Sequence, residues 1–337
     1  MNNKSKEKNI VVLDAMGGDF APAEIIKGAS EAAKLYDCKI ILTGVKDKIE
    51  KSLMKIQEDP SVFEIVNCSQ EVLMSDHPGE VIRQKKDSSI FVGTRITAEK
   101  QGSAFVSAGN TGAVMAASLV NIKRIKGVFR PAIAVIIPLS EKKIVLIDSG
   151  ANADCKPQYL AQFAKMGKIF SETILQTQNP KIGLANVGSE EEKGNELAIQ
   201  SHQLIKEIKD INFIGNVEGR DIFDGVCDVV VCDGFTGNIL LKSIEGIANL
   251  FFGEIKGILK ANFASKISAI FLKNSFMRMK RKFDYEEYGG SFLIGVNGIV
   301  AIAHGSSKAK AIKNAVKSAV WSQNYSIVAK ITESINN

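Results

Sequence analysis

Histidine is scarce in this chain of 337 residues, which has three (His77, His202 and His304) and a single Trp. A His-based metal site, or a Ser or Cys nucleophile with a His base, has little to draw on. The five cysteines, Cys38, Cys68, Cys155, Cys227 and Cys232, are scattered and include no CxxC pair, so they read as reduced cytosolic thiols. Neither GxxxxGKS/T nor GxGxxG occurs, which removes support for ATP and NAD, and GxSxG and HExxH are missing as well. Aromatic content of 7% is too low for a base-stacking platform. A net charge of +6 permits an acidic partner or an anionic surface without demanding nucleic acid. The polar opening MNNKSKEKN has no hydrophobic signal segment, so a cytoplasmic location is expected. The longest uncharged stretch, Gly102 to Ile122, has the length of a membrane span but carries Gly, Ser, Asn and Thr at its middle. It is read as strand and helix instead.

What is present is an ordinary globular composition, 45% apolar and 24% charged, in which apolar β-rich runs alternate with helical segments. NIVVLDA (9–15), KIILTGV (39–45), FEIVNC (63–68), SAFVSAG (103–109), AIAVIIPL (132–139), KIVLIDSG (143–150), KIGLANVG (181–188), NFIGNV (212–217) and CDVVVCDG (227–234) are the strand candidates. Helices are expected from near Pro22, over 111–122, from Pro157, from about Asn195 and from Asn238. Continuous Val/Ile runs, as opposed to alternating ones, predict strands covered on both faces in a mostly parallel sheet. Residues 250–284 break the pattern: Ile255, Ile258, Leu259 and Phe263, then Ile267, Ile270 and Phe271, mark an apolar stripe. From Lys256 to Lys282 there are eight basic residues and no acidic one, which predicts a basic amphipathic helical hairpin.

Four turns rich in Gly, Asn, Thr and Asp sit where a strand meets a helix: DAMGGDFAP (14–22), SAGNTGAVMA (107–116), NVGSEEEKGNE (186–196) and DGFTGNILLK (233–242). In an open α/β sheet ligands bind beyond the strand carboxyl ends, where helix N-termini present N–H groups and partial positive charge. Together the four turns predict a cleft that holds a phosphate-bearing or polar ligand through backbone and neutral donors. Asp14, Asp19, Asp148 and Asp233 are expected to satisfy loop N–H groups and not to chelate a cation. His202 reads as solvated on its helix and His77 as a turn residue. His304, in AIAHGSS, either lines the cleft or caps and packs locally.

The stretches VLDAMGGDFAP, SAGNTGAVMA, IKGVFRPA, IDSGANADCKPQYLAQFAKMG, NVGSEEEKGNE, FIGNVEGRDIF, DVVVCDGFTGNILLKS and YGGSFLIGVNGI, with AHGSS after it, run in order over residues 10 to 307. In combination they resemble the PlsX family of phosphate acyltransferases. The resemblance implies a three-layer α/β/α sandwich with a mostly parallel sheet, similar to phosphate acetyltransferase and the isopropylmalate dehydrogenase group. It implies one catalytic domain over residues 1–337 with the hairpin 250–284 protruding from it. The implied activity is transfer of a fatty acyl group from acyl carrier protein to inorganic phosphate, with no cofactor and no metal. A homodimer is implied, with peripheral contact at the inner face of the cell membrane and the membrane glycerol-3-phosphate acyltransferase PlsY as a further partner. Two departures occur: the family's YGGAPLLG is YGGSFLIG here, with Ser291 and Phe292, and LDVGAN is IDSGAN, with Ser149.

Attack of phosphate on a thioester needs orientation and oxyanion donors more than acid–base help, because thiolate is a good leaving group. That suits a chain offering Gly, Asn, Thr and Lys but no triad. On the resemblance Lys193 neutralises phosphate and Asn238, with the 236–238 N–H groups, polarises the thioester carbonyl; from spacing alone Lys193 reads as a solvated residue of a charged turn. Gly17, Gly18, Asp19, Gly109, Asn110, Thr111, Gly112, Asn152, Lys156, Asp233, Thr236, Gly237 and His304 complete the substrate-binding set. The rival readings are an acyl-CoA-using phosphate acetyltransferase, a metal- and NAD-dependent β-decarboxylating dehydrogenase, and a non-catalytic membrane adaptor for carrier protein. The hairpin suits a membrane surface, the acidic carrier or a dimer contact.

Overall fold

The computed structural model describes residues 8–282, 287 and 289–336. Its strands in chain order are β1 (Asn9–Asp14), β2 (Cys38–Gly44), β3 (Glu64–Asn67), β4 (Ala104–Ser107), β5 (Ala132–Pro138), β6 (Lys143–Ile147), β7 (Lys181–Ala185), β8 (Asn212–Val217), β9 (Val229–Val231), β10 (Ser291–Ile294) and β11 (Ile299–Ile302). The helices are α1 (Ala23–Leu35), α2 (Lys46–Lys55), α3 (Pro78–Gln84), α4 (Ser89–Glu99), α5 (Thr111–Asn121), α6 (Pro157–Phe170), α7 (Glu196–Lys206), α8 (Gly219–Asp224), α9 (Gly234–Ile258), α10 (Phe263–Lys282), α11 (Ala309–Asn324) and α12 (Ile327–Asn336).

All strands join one sheet in the order β3-β2-β1-β4-β11-β10-β5-β6-β9-β7-β8. The apolar runs feed both of its faces. On β1, Val11 and Leu13 pack with Ile25 of α1 and Ile312 of α11, while Val12 packs with Ile90 of α4 and Val114 of α5. Helices therefore cover the sheet on both sides, as the unbroken Val/Ile runs predicted.

Strand direction locates the cleft. The block β3-β2-β1-β4-β11 is parallel throughout, and so is the block β6-β9-β7-β8. Between them β11/β10, β10/β5 and β5/β6 are antiparallel, so the two blocks run in opposite directions. The register then matters: Ser107 faces Ile302, Ser291 faces both Ile302 and Val135, and Val135 faces Leu146. The carboxyl ends of the two blocks thus meet at one level, across β10 and β5.

Several expectations are corrected. The strands β10 and β11 were not anticipated; each has four residues and β10 follows two glycines, which hides the periodicity. Helices α3 and α4 were also missed, and α9 begins at Gly234, ahead of the expected Asn238. His202 is buried, not solvated: its Nδ1 lies 2.9 Å from Asn216 Oδ1 and its ring stands edge-on to Phe213. His77 caps α3, its Nδ1 accepting from the Gly79 N–H.

The hairpin is formed by the outer part of α9 and by α10, tied by an edge-on Phe252–Phe276 contact at 5.7 Å. A bend between α9 and α10 separates Leu259 from Phe263, so the expected stripe is carried on two helices. Leu250, Phe251, Ile258, Phe263, Ile270 and Phe271 are exposed. Among the described residues, a Cβ added at Gly246, Gly253 or Gly257 would meet nothing within 4 Å, so α9 stands clear of the body there. The expected hairpin residues 283 and 284 lie outside the described residues. Among the described residues no helix is long and apolar enough to cross a membrane; the stretch Gly102 to Ile122 folds as β4 and α5.

Candidate active site

Where the two carboxyl ends meet, a cleft of about 310 Å³ opens on the sheet face that carries α5 and α9. Its floor is apolar: Met115, Ile133, Val135, Leu241 and Ile302. Polar groups stand around it: Thr111 and Gly112 at the start of α5, Ser149 and Gly150 after β6, Asn238, Lys242 and Glu245 on α9, Ser291 on β10 and His304 after β11. The N-terminal turn of α5, from the first block, and the second and third turns of α9, from the second, therefore border one volume.

The wall after β6 is built by Asp148, which is buried at the strand end. Its Oδ1 accepts from the N–H groups of Ile133, Gly150 and Ala151, and its Oδ2 from the N–H and the side-chain amide of Asn152. Asn152 also donates to the Pro131 carbonyl at 2.8 Å, so its amide is used in holding the loop. The first turn of α9 rests on this loop: Gly234 N–H donates to Asn152 O at 2.7 Å. Asp233 caps the helix, accepting from the Thr236 N–H and hydroxyl.

The wall at α5 is built in the same manner. Asn110 Oδ1 accepts from the Ala113 N–H, while its amide nitrogen donates to the carbonyls of Met74 and Asp76 at 3.0 Å each. Beneath it lies the 14–22 turn. Asp14 is buried, accepting from Ser107 Oγ at 2.6 Å and from the Met16 N–H, and burial raises its carboxyl above the ordinary range. A Cβ on Gly17 would fall 2.6 Å from the Gly109 nitrogen, so only glycine allows this approach. Asp19 N–H donates to Gly305 O at 2.8 Å, which joins the turn to the His304 loop. There His304 Nδ1 lies 2.8 Å from Ser306 Oγ.

Thr111, Gly112, Asn238 and His304 are the sequence candidates that line the cleft. Gly17, Gly18, Asp19, Gly109, Asn110, Asn152, Asp233, Thr236 and Gly237 lie directly behind it, in the turns that shape its walls. Lys156 is exposed at the start of α6. Lys193 is not among the described lining residues: its ammonium pairs with Glu190 Oε1 at 2.8 Å, within a loop closed by Asn186 donating to Lys193 O. The 236–238 N–H groups were expected to face the ligand, but Thr236 N–H is spent on Asp233 Oδ1 and Gly237 N–H on Asp233 O. Among these α9 groups the Asn238 side chain takes no part in the capping bonds. Three of the expected aspartates do satisfy loop or cap N–H groups, namely Asp14, Asp148 and Asp233.

The sequence reading missed Lys242 and Glu245, although Lys242 lies one helical turn past Asn238 and so shares its face. Ser149 and Ser291, met in the sequence only as departures from the family pattern, both line the cleft. Their hydroxyls donate to Ile133 O and Ile302 O. Phe292 turns to the opposite face, against Phe170 at 5.4 Å.

The family model of the fatty acid synthesis protein matches residues 10–328. A phosphate acyltransferase of Dictyoglomus thermophilum is 46% identical over 327 residues, covering 97% of each chain. The chain belongs to the phosphate acyltransferase family. A second member, from Desulforamulus reducens, is 47% identical over 331 residues with the same 97% coverage of both chains. Family membership makes the chain an acyltransferase and places it in fatty acid synthesis. Solved structures support the fold: a phosphotransacetylase from Streptococcus pyogenes superposes with a TM-score of 0.62 over 98% of this chain and 95% of that one, at 16% identity. The EutD phosphotransacetylase from Staphylococcus aureus gives the same TM-score of 0.62 at 15% identity, covering 94% of both chains.

Proposed function

We propose that this chain transfers a fatty acyl group from the thioester of acyl carrier protein to inorganic phosphate, giving acyl phosphate for phosphatidic acid and phospholipid synthesis. The observation that carries the reading is the cleft itself: an apolar floor suited to an acyl chain, rimmed by the N-terminal turn of α5 and by Asn238 and Lys242 of α9. Helix N-termini favour anions, and a neutral amide beside them favours a carbonyl oxygen that gains charge.

A phosphate oxygen attacks the thioester carbon, forming a C–O bond and a tetrahedral oxyanion. The C–S bond then breaks, and the proton carried by phosphate ends on the departing sulfur, whose thiol pKa is roughly 8.5. In this scheme Asn238 donates its side-chain N–H to the oxyanion. Thr111 and Gly112 bind phosphate or the pantetheine arm. Lys193 contributes charge by exchanging its Glu190 partner for the anion, and Asn110, Asn152, Asp233, Thr236 and the glycines hold the walls in place. The exposed apolar residues and basic surplus of the α9–α10 hairpin suit contact with an anionic membrane, where product would pass to a membrane glycerol-3-phosphate acyltransferase such as PlsY. The working form on this reading is a cytoplasmic homodimer.

The test is mass-spectrometric detection of acyl phosphate after mixing protein, acyl-carrier thioester and phosphate, with coenzyme A thioester in a parallel reaction. Acyl phosphate from the carrier thioester at the higher kcat/KM supports the reading. Turnover confined to coenzyme A thioester would leave the reaction and change the donor; no acyl phosphate from either would overturn the proposal.

A further inference from the structure

We propose that His202 and Asn216 are positioning residues for phosphate: a buried hydrogen-bond relay from His202 through Asn216 to the Glu190 carbonyl holds the backbone of Lys193 in the place from which its ammonium takes the anion. The inference rests on the role given to Lys193 above and adds what fixes that residue. Every residue from Ser189 to Asn195 is exposed and none is apolar, apart from Gly194. Such a loop is ordinarily loose, because it buries nothing that would hold it down. Here the anchor is polar and comes from beneath. The Asn216 side-chain amide donates to Glu190 O at 2.7 Å, and the same carbonyl accepts from the Lys193 N–H at 3.2 Å. On its other side Lys193 O accepts from the Asn186 amide at 2.8 Å. Both main-chain groups of Lys193 are therefore pinned, while its exposed side chain can exchange Glu190 for an anion.

The direction of the relay is fixed by chemistry. A carbonyl can only accept, so Asn216 must turn its NH2 to Glu190 and its Oδ1 to His202. The ring nitrogen 2.9 Å from that oxygen, Nδ1, must then carry a proton and donate it. This bond is the same whether or not Nε2, which faces Glu191 Oε1 at 3.6 Å, is protonated as well. His202 on α7 and Asn216 on β8 are 3% and 7% exposed, and Phe213 stands edge-on to the ring at 5.1 Å. Water therefore does not substitute readily for either partner, and removing one leaves a buried polar group unpaired. The carbonyl that carries the Lys193 N–H then loses the shorter of its two hydrogen bonds.

The test is steady-state kinetics of the intact chain with phosphate and acyl-carrier thioester varied in turn, and thermal unfolding to confirm folding. Asn216→Leu and His202→Leu should each raise the KM for phosphate about tenfold, with kcat and the KM for thioester within about twofold of wild type. His202→Asn, which puts an amide N–H in the place of Nδ1–H, should restore the phosphate KM to within about threefold. In a Lys193→Ala background Asn216→Leu should add less than about twofold, because the relay acts through Lys193. Should the Leu variants unfold, nitrogen-15 NMR of the wild-type imidazole decides: a proton on Nδ1 supports the relay, and a proton on Nε2 alone overturns it. An unchanged phosphate KM in a folded Leu variant, or a full tenfold effect without Lys193, also overturns it. A wild-type chain that makes no acyl phosphate fails the functional reading alone. The relay is then judged by hydrogen exchange of the 188–194 amides in Asn216→Leu, where exchange about tenfold faster supports it and unchanged exchange overturns it.

Discussion

A Cβ placed on Gly237 would lie 1.9 Å from the carbonyl oxygen of Asp148. The first turn of α9 is pressed onto the loop after β6 this closely because Asp148 gathers that loop around its carboxylate and Asp233 closes the helix end. The contact sets where Asn238 stands beside Gly150, a Cβ on which would lie 3.7 Å from Asn238 Oδ1. Gly237→Ala must push the helix outward, since the opposing atom is backbone. The expected cost is about 1–3 kcal/mol of stability, with acyl-phosphate formation down about tenfold or more as Asn238 shifts. Denaturant unfolding and steady-state rates measure the two effects. Unchanged kcat and stability would show that the loop yields.

Asn238→Ala and Lys193→Ala separate two roles. Asn238 is exposed in the cleft wall, so its loss should leave the melting temperature in place and lower kcat by about a hundredfold, the scale of a missing oxyanion donor. Lys193 is exposed and paired with Glu190, so Lys193→Ala should raise the KM for phosphate and leave the KM for thioester unchanged. If both variants keep most of their activity, neither residue acts in the reaction.

Much of the architecture was legible because Val/Ile runs, proline starts and Asn or Asp caps are local signals. Asn195 and Asp233 cap α7 and α9, and Pro157 opens α6. The site was harder to read because it depends on strand direction. Ser149 and Ser291 are far apart in sequence, and only the antiparallel placement of β10 and β5 brings them to one cleft. His202 misled for a related reason: its helix has polar neighbours, but its own face meets Asn216 and Phe213 on β8. Lys193 drew attention through the family pattern, while Lys242 was available from helical spacing and was passed over.

Asp14 makes the fold's stability depend on pH. Burial raises its pKa above the ordinary 3.8, against the opposing effect of the Ser107 hydroxyl. A carboxyl whose pKa is higher in the folded state binds its proton more readily there. Its contribution is therefore most favourable at acid pH and is lost as pH climbs from the unfolded value through the raised folded one. Asp14→Asn cannot ionise and removes this dependence. The melting temperature of wild type minus that of the variant should fall as pH rises through that window. A difference that is constant, or that grows with pH, would show that the carboxyl is not held neutral.

The hairpin's apolar face makes a prediction that separates a membrane from a protein partner. Phe263 and Phe271 are 80% and 81% exposed, so Phe263→Asp with Phe271→Asp should leave folding untouched. Each ring is worth about 1.5–3 kcal/mol when fully buried. Losing both should weaken sedimentation with anionic vesicles by a factor on the order of a hundred. Binding of the unaltered chain should also fall with added salt and with neutral lipid, because the sequence from Lys256 to Lys282 holds eight basic residues and no acidic one. A dimer contact would behave otherwise: vesicle binding would persist or be absent from the start, and light scattering would show the doubly substituted chain as a monomer. That outcome would move the exposed rings from the lipid surface to the subunit interface.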